Sequence, residues 1–166
     1  MTYYKKPFAP KQIRTDGYFT YRFEGADSLF MEILCFYEDG FYLFCGVYPI
    51  DGVALMQDFR KTKGISKKKH LWGVYYIEND TITMQDFSLD TFPGAPNAFY
   101  MRYSVAQSKG VIINSEKFTI FEDFYEGTPR KVNATYQFHP CVDCKPDSTN
   151  WLRTNKKLNT LYPRIE

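Results

Sequence analysis

The chain has 166 residues and a formal net charge of +2, from 21 basic and 19 acidic side chains. This length suits one compact domain with a sizeable core, and the near-neutral balance argues against a dedicated nucleic-acid binder. Phe, Tyr and Trp together number 31, whereas Ile, Leu and Val number 26. Aromatic rings are therefore expected to supply most of the core.

The sequence contains no stretch of roughly 18 apolar residues, the length that a membrane-spanning helix needs, so no transmembrane segment is predicted. Residues 1–10, MTYYKKPFAP, contain lysines but lack the apolar stretch of a secretory signal. The protein is expected in the cytoplasm if Met1 is its native start. It is expected in the cell envelope or periplasm if a signal segment has been removed.

Turn residues recur at short spacing, and most segments between them alternate apolar and polar side chains, which is typical of an all-β sandwich or barrel. The first such segment, 17–24, places Phe19, Tyr21 and Phe23 on one face and Tyr18 on the other. Two further segments, at 29–37 and 41–48, flank a turn in which Gly40 can adopt a left-handed conformation.

The length of that turn decides how two cysteines are placed. A three-residue loop puts Cys35 opposite Leu43 and on the same face as Cys45. A two-residue loop would put the two cysteines on opposite faces, because a one-residue slip inverts every side chain. The three-residue loop is favoured, with both thiols buried as small hydrophobic groups.

A second hairpin is predicted from 72–78 and 81–87, joined by Asn79-Asp80. A two-residue loop pairs Ile77 with Ile82 and Tyr75 with Met84 on the expected core face.

Three later segments complete the strand pattern. In 99–106, Met101 and Tyr103 alternate inward. Segments 111–114 and 117–124 flank a turn at 115–116. The side chains expected to share their core face are Val111, Ile113, Phe118 and Ile120. In 131–139, the expected inward residues are Val132, Ala134, Tyr136 and Phe138.

Two helices are also predicted. Leu55, Met56 and Phe59 have helical spacing in 54–61, and Trp151, Leu158 and Leu161 form one stripe near the C-terminus. The C-terminal helix is expected to lie against the outside of the sheet or across one end.

Several of these segments together resemble bacterial lipocalin-like domains, a group of small, mostly uncharacterised barrel proteins. The resemblance rests on TDGYF at 15–19, FYEDG at 36–40, WGVYYIENDTI at 72–82 and GVIIN at 110–114, and it covers roughly residues 15–139. It implies an all-β, antiparallel up-and-down barrel of about eight strands, with the short inserted helix and the C-terminal helical segment added to it. The domain would span 1–166, with the barrel core at about 15–139 and an extension at 140–166. The resemblance implies an interior able to hold a small molecule and no catalytic residues.

The predicted interior leaves two interpretations open. An eight-stranded barrel is just wide enough to be filled by side chains or to hold one small ligand. Buried phenols need hydrogen-bond partners, so the inward tyrosines favour either a packed core with hydroxyls at the barrel mouth or a ligand cavity. The residues expected to line such a cavity are Phe19, Tyr21, Phe23, Tyr75, Met101, Tyr103, Tyr136 and Phe138.

Signals for catalysis or metal binding are weak. His139, Cys141 and Cys144 have a spacing that can supply three zinc ligands, but no fourth ligand is evident, and the cysteines also fit a plain loop pair or a disulfide. The acids at 122, 123 and 126 are expected to be solvated loop residues. No catalytic residue, metal or cofactor is predicted.

The favoured function is therefore a non-enzymatic barrel that binds a small amphipathic or hydrophobic molecule in its interior. The alternative is a solid-core structural or interaction module. That module would act through surface aromatics or through the basic loop 60–69, which has six positive charges in ten residues. The aromatics proposed for this surface are Tyr18, Tyr42, Tyr76 and Tyr100. A third interpretation, an enzyme built on His139 and the two nearby cysteines, ranks last.

Overall fold

The computed structural model describes residues 12–24, 29–49, 71–91, 101–125 and 128–141, with the side chains of 87–91, 101–105 and 125 outside the description. It contains eight strands: β1 (Gly17–Arg22), β2 (Phe30–Phe36), β3 (Phe41–Pro49), β4 (Trp72–Glu78), β5 (Thr81–Thr91), β6 (Met101–Asn114), β7 (Lys117–Tyr125) and β8 (Thr128–Pro140).

The strands form a closed barrel in sequence order, in which every neighbouring pair is antiparallel and β1 pairs with β8. The predicted up-and-down barrel of about eight strands is thereby confirmed. The two predicted helices and the basic loop 60–69 lie outside the described residues. Within the described ranges, no helix is long and apolar enough to cross a membrane.

Both predicted hairpins have the expected register. Gly40 has a positive φ of 82°, and Cys35 pairs with Leu43, so the three-residue loop is confirmed. In the β4–β5 hairpin, Ile77 pairs with Ile82 and Tyr75 with Met84, as predicted. Asn79 has a φ of 54° in its two-residue turn, a conformation that asparagine tolerates better than most residues.

The prediction for the β6–β7 region was partly wrong. Residues 101–114 form one continuous strand of 14 residues, where two separate segments were expected. Phe118 and Ile120 are buried, but Val111 is 42 % exposed and Ile113 is 55 % exposed. β6 keeps one register with β5, in which Gly110 lies opposite the buried Ile82 and Ser108 opposite the buried Met84. The even-numbered residues of this part of β6 therefore face inward, and Ile112 packs against the interior cluster in place of Val111 and Ile113.

One end of the barrel, called the packed end here, is filled by aromatic and aliphatic side chains. Phe19 lies at its centre and makes edge-on contacts with Phe36, Phe118 and Phe138 at ring-centroid distances of 5.5, 5.3 and 5.2 Å. Such tilted geometries match the electrostatic preference of aromatic pairs. The aromatic surplus of the sequence is concentrated in this layer.

Residues 12–16 cross the packed end. Ile13 is 2 % exposed and belongs to the interior cluster. Arg14 donates its backbone N–H to the carbonyl of Ser115 at 2.9 Å, and its guanidinium bonds Asp16 and Glu116 while lying 4.3 Å from the ring centroid of Phe138. This segment therefore closes the packed end of the barrel next to the β6–β7 turn.

A second apolar cluster lies on the outer face of β1 to β4. Trp72, Ile33 and Leu43 are fully buried there, together with both free cysteines. Tyr18 is also buried in this cluster, and Tyr42 is buried in the interior one. The expectation that Tyr18 and Tyr42 lie on the surface was wrong, because the barrel wall carries apolar packing on both of its faces in this region.

Candidate functional site: the cavity at the other end of the barrel

The half of the barrel opposite the packed end, the cavity end, contains a cavity of about 370 Å³. Apolar and aromatic side chains supply part of its wall, and polar side chains supply the rest. The lining residues include Tyr21, Phe23, Glu32, Tyr42, Phe44, Met84, Asp86, Ser108, Asp123, Arg130, Val132, Ala134 and Tyr136.

Glu32 enters the cavity from β2, at the inward position that precedes Leu34 and Phe36. Its Oε1 accepts a hydrogen bond of 2.6 Å from the hydroxyl of Tyr136. Burial raises the pKa of the Glu32 carboxyl above its usual range. The Tyr136 hydrogen bond partly offsets that increase, and the nearby charges of Asp123 and Asp86 add to it.

Asp86 enters from β5, two residues after Met84. Its Oδ2 accepts a 2.8 Å hydrogen bond from the hydroxyl of Tyr42. Burial, partly offset by that hydrogen bond, raises the pKa of Asp86 from 3.8 to about 6, and the charge of Asp123 contributes in the same direction. A carboxyl with this pKa is still mostly ionised at neutral pH.

A glycine makes the Tyr42–Asp86 contact possible. Gly73 pairs with both residues, Tyr42 on β3 and Asp86 on β5. A Cβ at this position would lie 2.2 Å from Cε1 of the Tyr42 ring and 2.5 Å from the carbonyl oxygen of Gln85. The absent side chain therefore leaves room for the ring to cross β4 and reach the carboxylate.

Asp123 is the third carboxylate of the cavity and is bonded more extensively. Its Oδ1 accepts 2.9 Å hydrogen bonds from the Ser108 hydroxyl and the Phe124 backbone N–H, and its Oδ2 lies 3.4 Å from Nη2 of Arg130. Asp123 was expected to be a solvated loop residue, but it lies in β7. A register shift between Ile120 and Glu122 instead turns Asp123 inward.

The charges of the cavity wall do not balance. Among the described residues that line it, three are carboxylates and one, Arg130, is a cation, and Arg130 is placed beside Asp123. Glu32 Oε2 and Asp86 Oδ1 accept no hydrogen bond from any described side chain. Both carboxyls are half-buried, and partial removal from water raises their pKa values, so this unbalanced pair is the chemically distinctive feature of the site.

Aromatic rings connect the cavity to the packed end. Tyr21 lies 5.2 Å from Phe23 and 5.5 Å from Tyr136, and Tyr136 stacks on Phe118 at 4.8 Å with an interplanar angle of 3°. The cavity wall thus offers ring faces next to its carboxylates.

The residues predicted to line a cavity fall into three groups. Tyr21, Phe23 and Tyr136 line it. Phe19, Phe138 and Tyr75 lie in the core, and the Tyr75 hydroxyl donates to the carbonyl of Tyr37 at 2.9 Å. The backbones of Met101 and Tyr103 belong to β6, but their side chains lie outside the description.

Sequence reasoning missed the polar half of the site, namely Glu32, Asp86, Ser108, Asp123 and Arg130. A signal was present for two of them. Glu32 alternates with Leu34 and Phe36, and Asp86 alternates with Ile82 and Met84, so each occupies a core-facing register. A charged residue in such a register is informative because it is seldom buried without a partner.

A groove of about 490 Å³ lies on the outer side of β1 and β8. In it His139 stacks on Tyr18 at 5.2 Å, and His139 Nε2 and Thr20 Oγ1 are 2.9 Å apart. Burial and the charge of Arg22 lower the pKa of His139. Thr20 and His139 bond each other within this groove, whereas Thr135 and Gln137 bond Thr119 and the carbonyl of Glu116 outside it.

The weak zinc candidate is not assembled by the described residues. Cys141 is disulfide-bonded, so its sulfur is not the thiolate that zinc requires, and Cys144 lies outside the description. No group of three or more His, Cys, Asp or Glu side chains among the described residues is arranged to hold a metal ion.

Comparison of the chain with protein-family models, with curated proteins and with solved structures found no match. Any function must therefore be inferred from the barrel and its cavity.

Proposed function

We propose that this chain is a non-enzymatic, lipocalin-like barrel that binds one small amphipathic molecule in the cavity lined by Glu32, Asp86 and Tyr136. The observation that supports it is the asymmetry of the interior. The packed end is filled by rings around Phe19, whereas the other half holds a cavity of about 370 Å³.

The composition of the cavity wall fits this type of ligand. Small-molecule sites usually have volumes of roughly 300–1,000 Å³ and combine apolar walls with a few placed polar groups. Phe23, Phe44 and Met84 offer apolar contact, and Glu32 and Asp86 offer polar contacts at defined positions. An amphipathic molecule could place its apolar tail against the apolar side chains and its polar head against the two carboxyls.

The alternative, an interaction module that acts through surface aromatics, loses two of its four named residues because Tyr18 and Tyr42 are buried. Of its remaining parts, Tyr76 is half-buried, and Tyr100 and the basic loop 60–69 lie outside the described residues.

The proposal is tested by filling the cavity. Ala134 lines it and is half-buried, so Ala134→Phe adds a ring inside. Val111→Phe is the matched control, because Val111 is 42 % exposed on the outer wall. Octanol, octylamine and octanoate share one alkyl chain, and titration calorimetry measures their binding to each variant.

We expect at least one probe to bind the unmodified chain with one-to-one stoichiometry. Ala134→Phe should abolish that binding, and Val111→Phe should retain it. Binding of none of the three probes, or equal binding by Ala134→Phe, would overturn the proposal. Circular dichroism confirms that each variant still forms the barrel.

A further inference from the structure

We propose that the bound molecule is an organic cation, a protonated amine with an apolar tail, whose charged group lies between Glu32 and Asp86. This inference rests on the proposed function and specifies the chemical class of its ligand.

The first support is the position of the two carboxylates. Glu32 is on β2 and Asp86 is on β5, three strands away around the barrel, so they approach the cavity from different walls. Each has one oxygen bonded to a phenol, from Tyr136 and Tyr42 respectively. Each also has a second oxygen that no described side chain bonds. An ammonium group has three donors and no acceptor, which complements two such oxygens.

The second support is the aromatic wall. Tyr21 lies directly opposite Glu32 in the β1–β2 pairing and packs against Phe23 and Tyr136. Cations are attracted to ring faces within about 6 Å, and more strongly where water is excluded. Carboxylates beside ring faces are therefore suited to an organic cation.

Other ligand charges fit the wall less well. The one cationic side chain among the described lining residues, Arg130, lies 3.4 Å from Asp123, so no separate cation is placed to receive an anion. A metal ion is disfavoured because the described carboxylates do not form a group of three able to hold it. An amine needs only one or two carboxylates and can use the rings as well.

Protonation of the cavity should control binding. Burial raises the pKa values of both Glu32 and Asp86, the latter to about 6. The groups facing them are Tyr21 on β1, Tyr42 on β3, Ser108 on β6, Asp123 on β7, and Arg130 and Tyr136 on β8. The Tyr21 and Tyr136 phenols are neutral at these pH values, because burial raises their pKa values further above 10. As the pH falls, the carboxylates become neutral and lose their attraction for a cation.

The experiment compares the same three probes on the unmodified chain at about pH 7.5, where an alkylammonium and the carboxylates are both charged. We expect octylamine to bind at least about tenfold more tightly than octanol, and octanoate to bind more weakly than octanol. Octylamine affinity should fall as the pH is lowered to about 5, while octanol affinity stays constant.

Three variants then test whether Glu32 and Asp86 are the carboxylates that contact the ammonium group. Glu32→Gln and Asp86→Asn keep an oxygen acceptor for Tyr136 and Tyr42. Each should weaken octylamine binding about tenfold and weaken octanol binding much less, because octanol carries no charge. Glu122→Gln is the control, since this carboxylate pairs with Lys109 at 3.1 Å and does not line the cavity. It should leave all affinities unchanged.

The outcomes separate the two proposals. If octanol or octanoate binds and Ala134→Phe abolishes that binding, but octylamine binds no more tightly than octanol, the cation inference is wrong and the binding barrel stands. The inference is also overturned if Glu32→Gln and Asp86→Asn both leave octylamine affinity unchanged. If none of the probes binds, the binding barrel itself is overturned.

Discussion

Asp86 imposes a cost on the folded chain that depends on pH. The carboxyl has a pKa of about 6 when folded and an ordinary value of 3.8. An acid whose pKa is raised by folding binds protons more readily in the folded state, so the barrel loses stability as the pH rises from about 4 to about 6. Below that window both states are protonated and the cost disappears. Above it the cost is present in full.

Replacing this carboxyl with an amide should therefore stabilise the protein only where the carboxyl is charged. We expect Asp86→Asn to raise the free energy of unfolding by roughly 1–3 kcal/mol at about pH 7.5, or the melting temperature by roughly 3–10 °C. At about pH 4 the variant and the original chain should unfold together. Thermal denaturation at both pH values measures this. A variant that is less stable at the higher pH would contradict the stated burial cost.

The cavity residues show which side chains a strand pattern can identify. Tyr21, Phe23 and Tyr136 line the cavity, and aromatic residues at every second position of a strand predict such an inward face. Glu32 and Asp86 share that register with apolar neighbours, yet they were missed because a charged residue is ordinarily assigned to the solvent side. Their phenol partners come from β8 and β3, and no local pattern in β2 or β5 indicates that pairing.

At the scale of the element, hairpins were predictable where turn and alternation agreed. In β4–β5, Asn79-Asp80 fixes a two-residue loop, and every pair from Glu78↔Thr81 to Gly73↔Asp86 follows from it. In β6 the inward face belongs to Ser108 and Gly110, which lie opposite Met84 and Ile82, so Val111 and Ile113 lie on the outer wall, opposite to the expectation. A bulge inserts one residue and reverses the facing of those beyond it, and alternation alone cannot reveal where that occurs. A register shift of this kind on β7, between Ile120 and Glu122, explains the inward position of Asp123.

The β2–β3 hairpin holds a pair of thiols whose reactivity can be predicted. Sγ of Cys35 and Sγ of Cys45 are 3.5 Å apart, and both residues are almost fully buried. The hydrogen bond with Cys35 and burial raise the pKa of Cys45. Because the thiolate is the reactive form, both cysteines should resist a maleimide reagent in the folded protein and react at the rate of unfolding. Peptide mass spectrometry assigns the label to each cysteine, and rapid labelling of either one under native conditions would contradict their described burial.

For the whole molecule, the two ends of the barrel differ in their interiors: one is filled by side chains, and the other holds the cavity that is proposed to bind a ligand. The packed end combines interlocking rings around Phe19 with the crossing segment at 12–16. The cavity end instead accepts incompletely bonded carboxylates and empty volume, both of which cost stability. Since a barrel has no free sheet edges, it can keep its closed wall while one half of its interior is left unfilled.

This division predicts that the two ends can be altered independently. Ile13 is 2 % exposed inside the packed end, and truncating a buried isoleucine to alanine costs about 2–5 kcal/mol. Ile13→Ala should therefore lower the melting temperature by roughly 4–15 °C while leaving the affinity for the tightest-binding probe unchanged. Ala134→Phe should remove binding with a much smaller effect on stability. In the double variant the two stability changes should add to within about 0.5 kcal/mol, as expected for distant sites. A large deviation from additivity, or a loss of affinity in Ile13→Ala, would mean that the packed end also shapes the cavity.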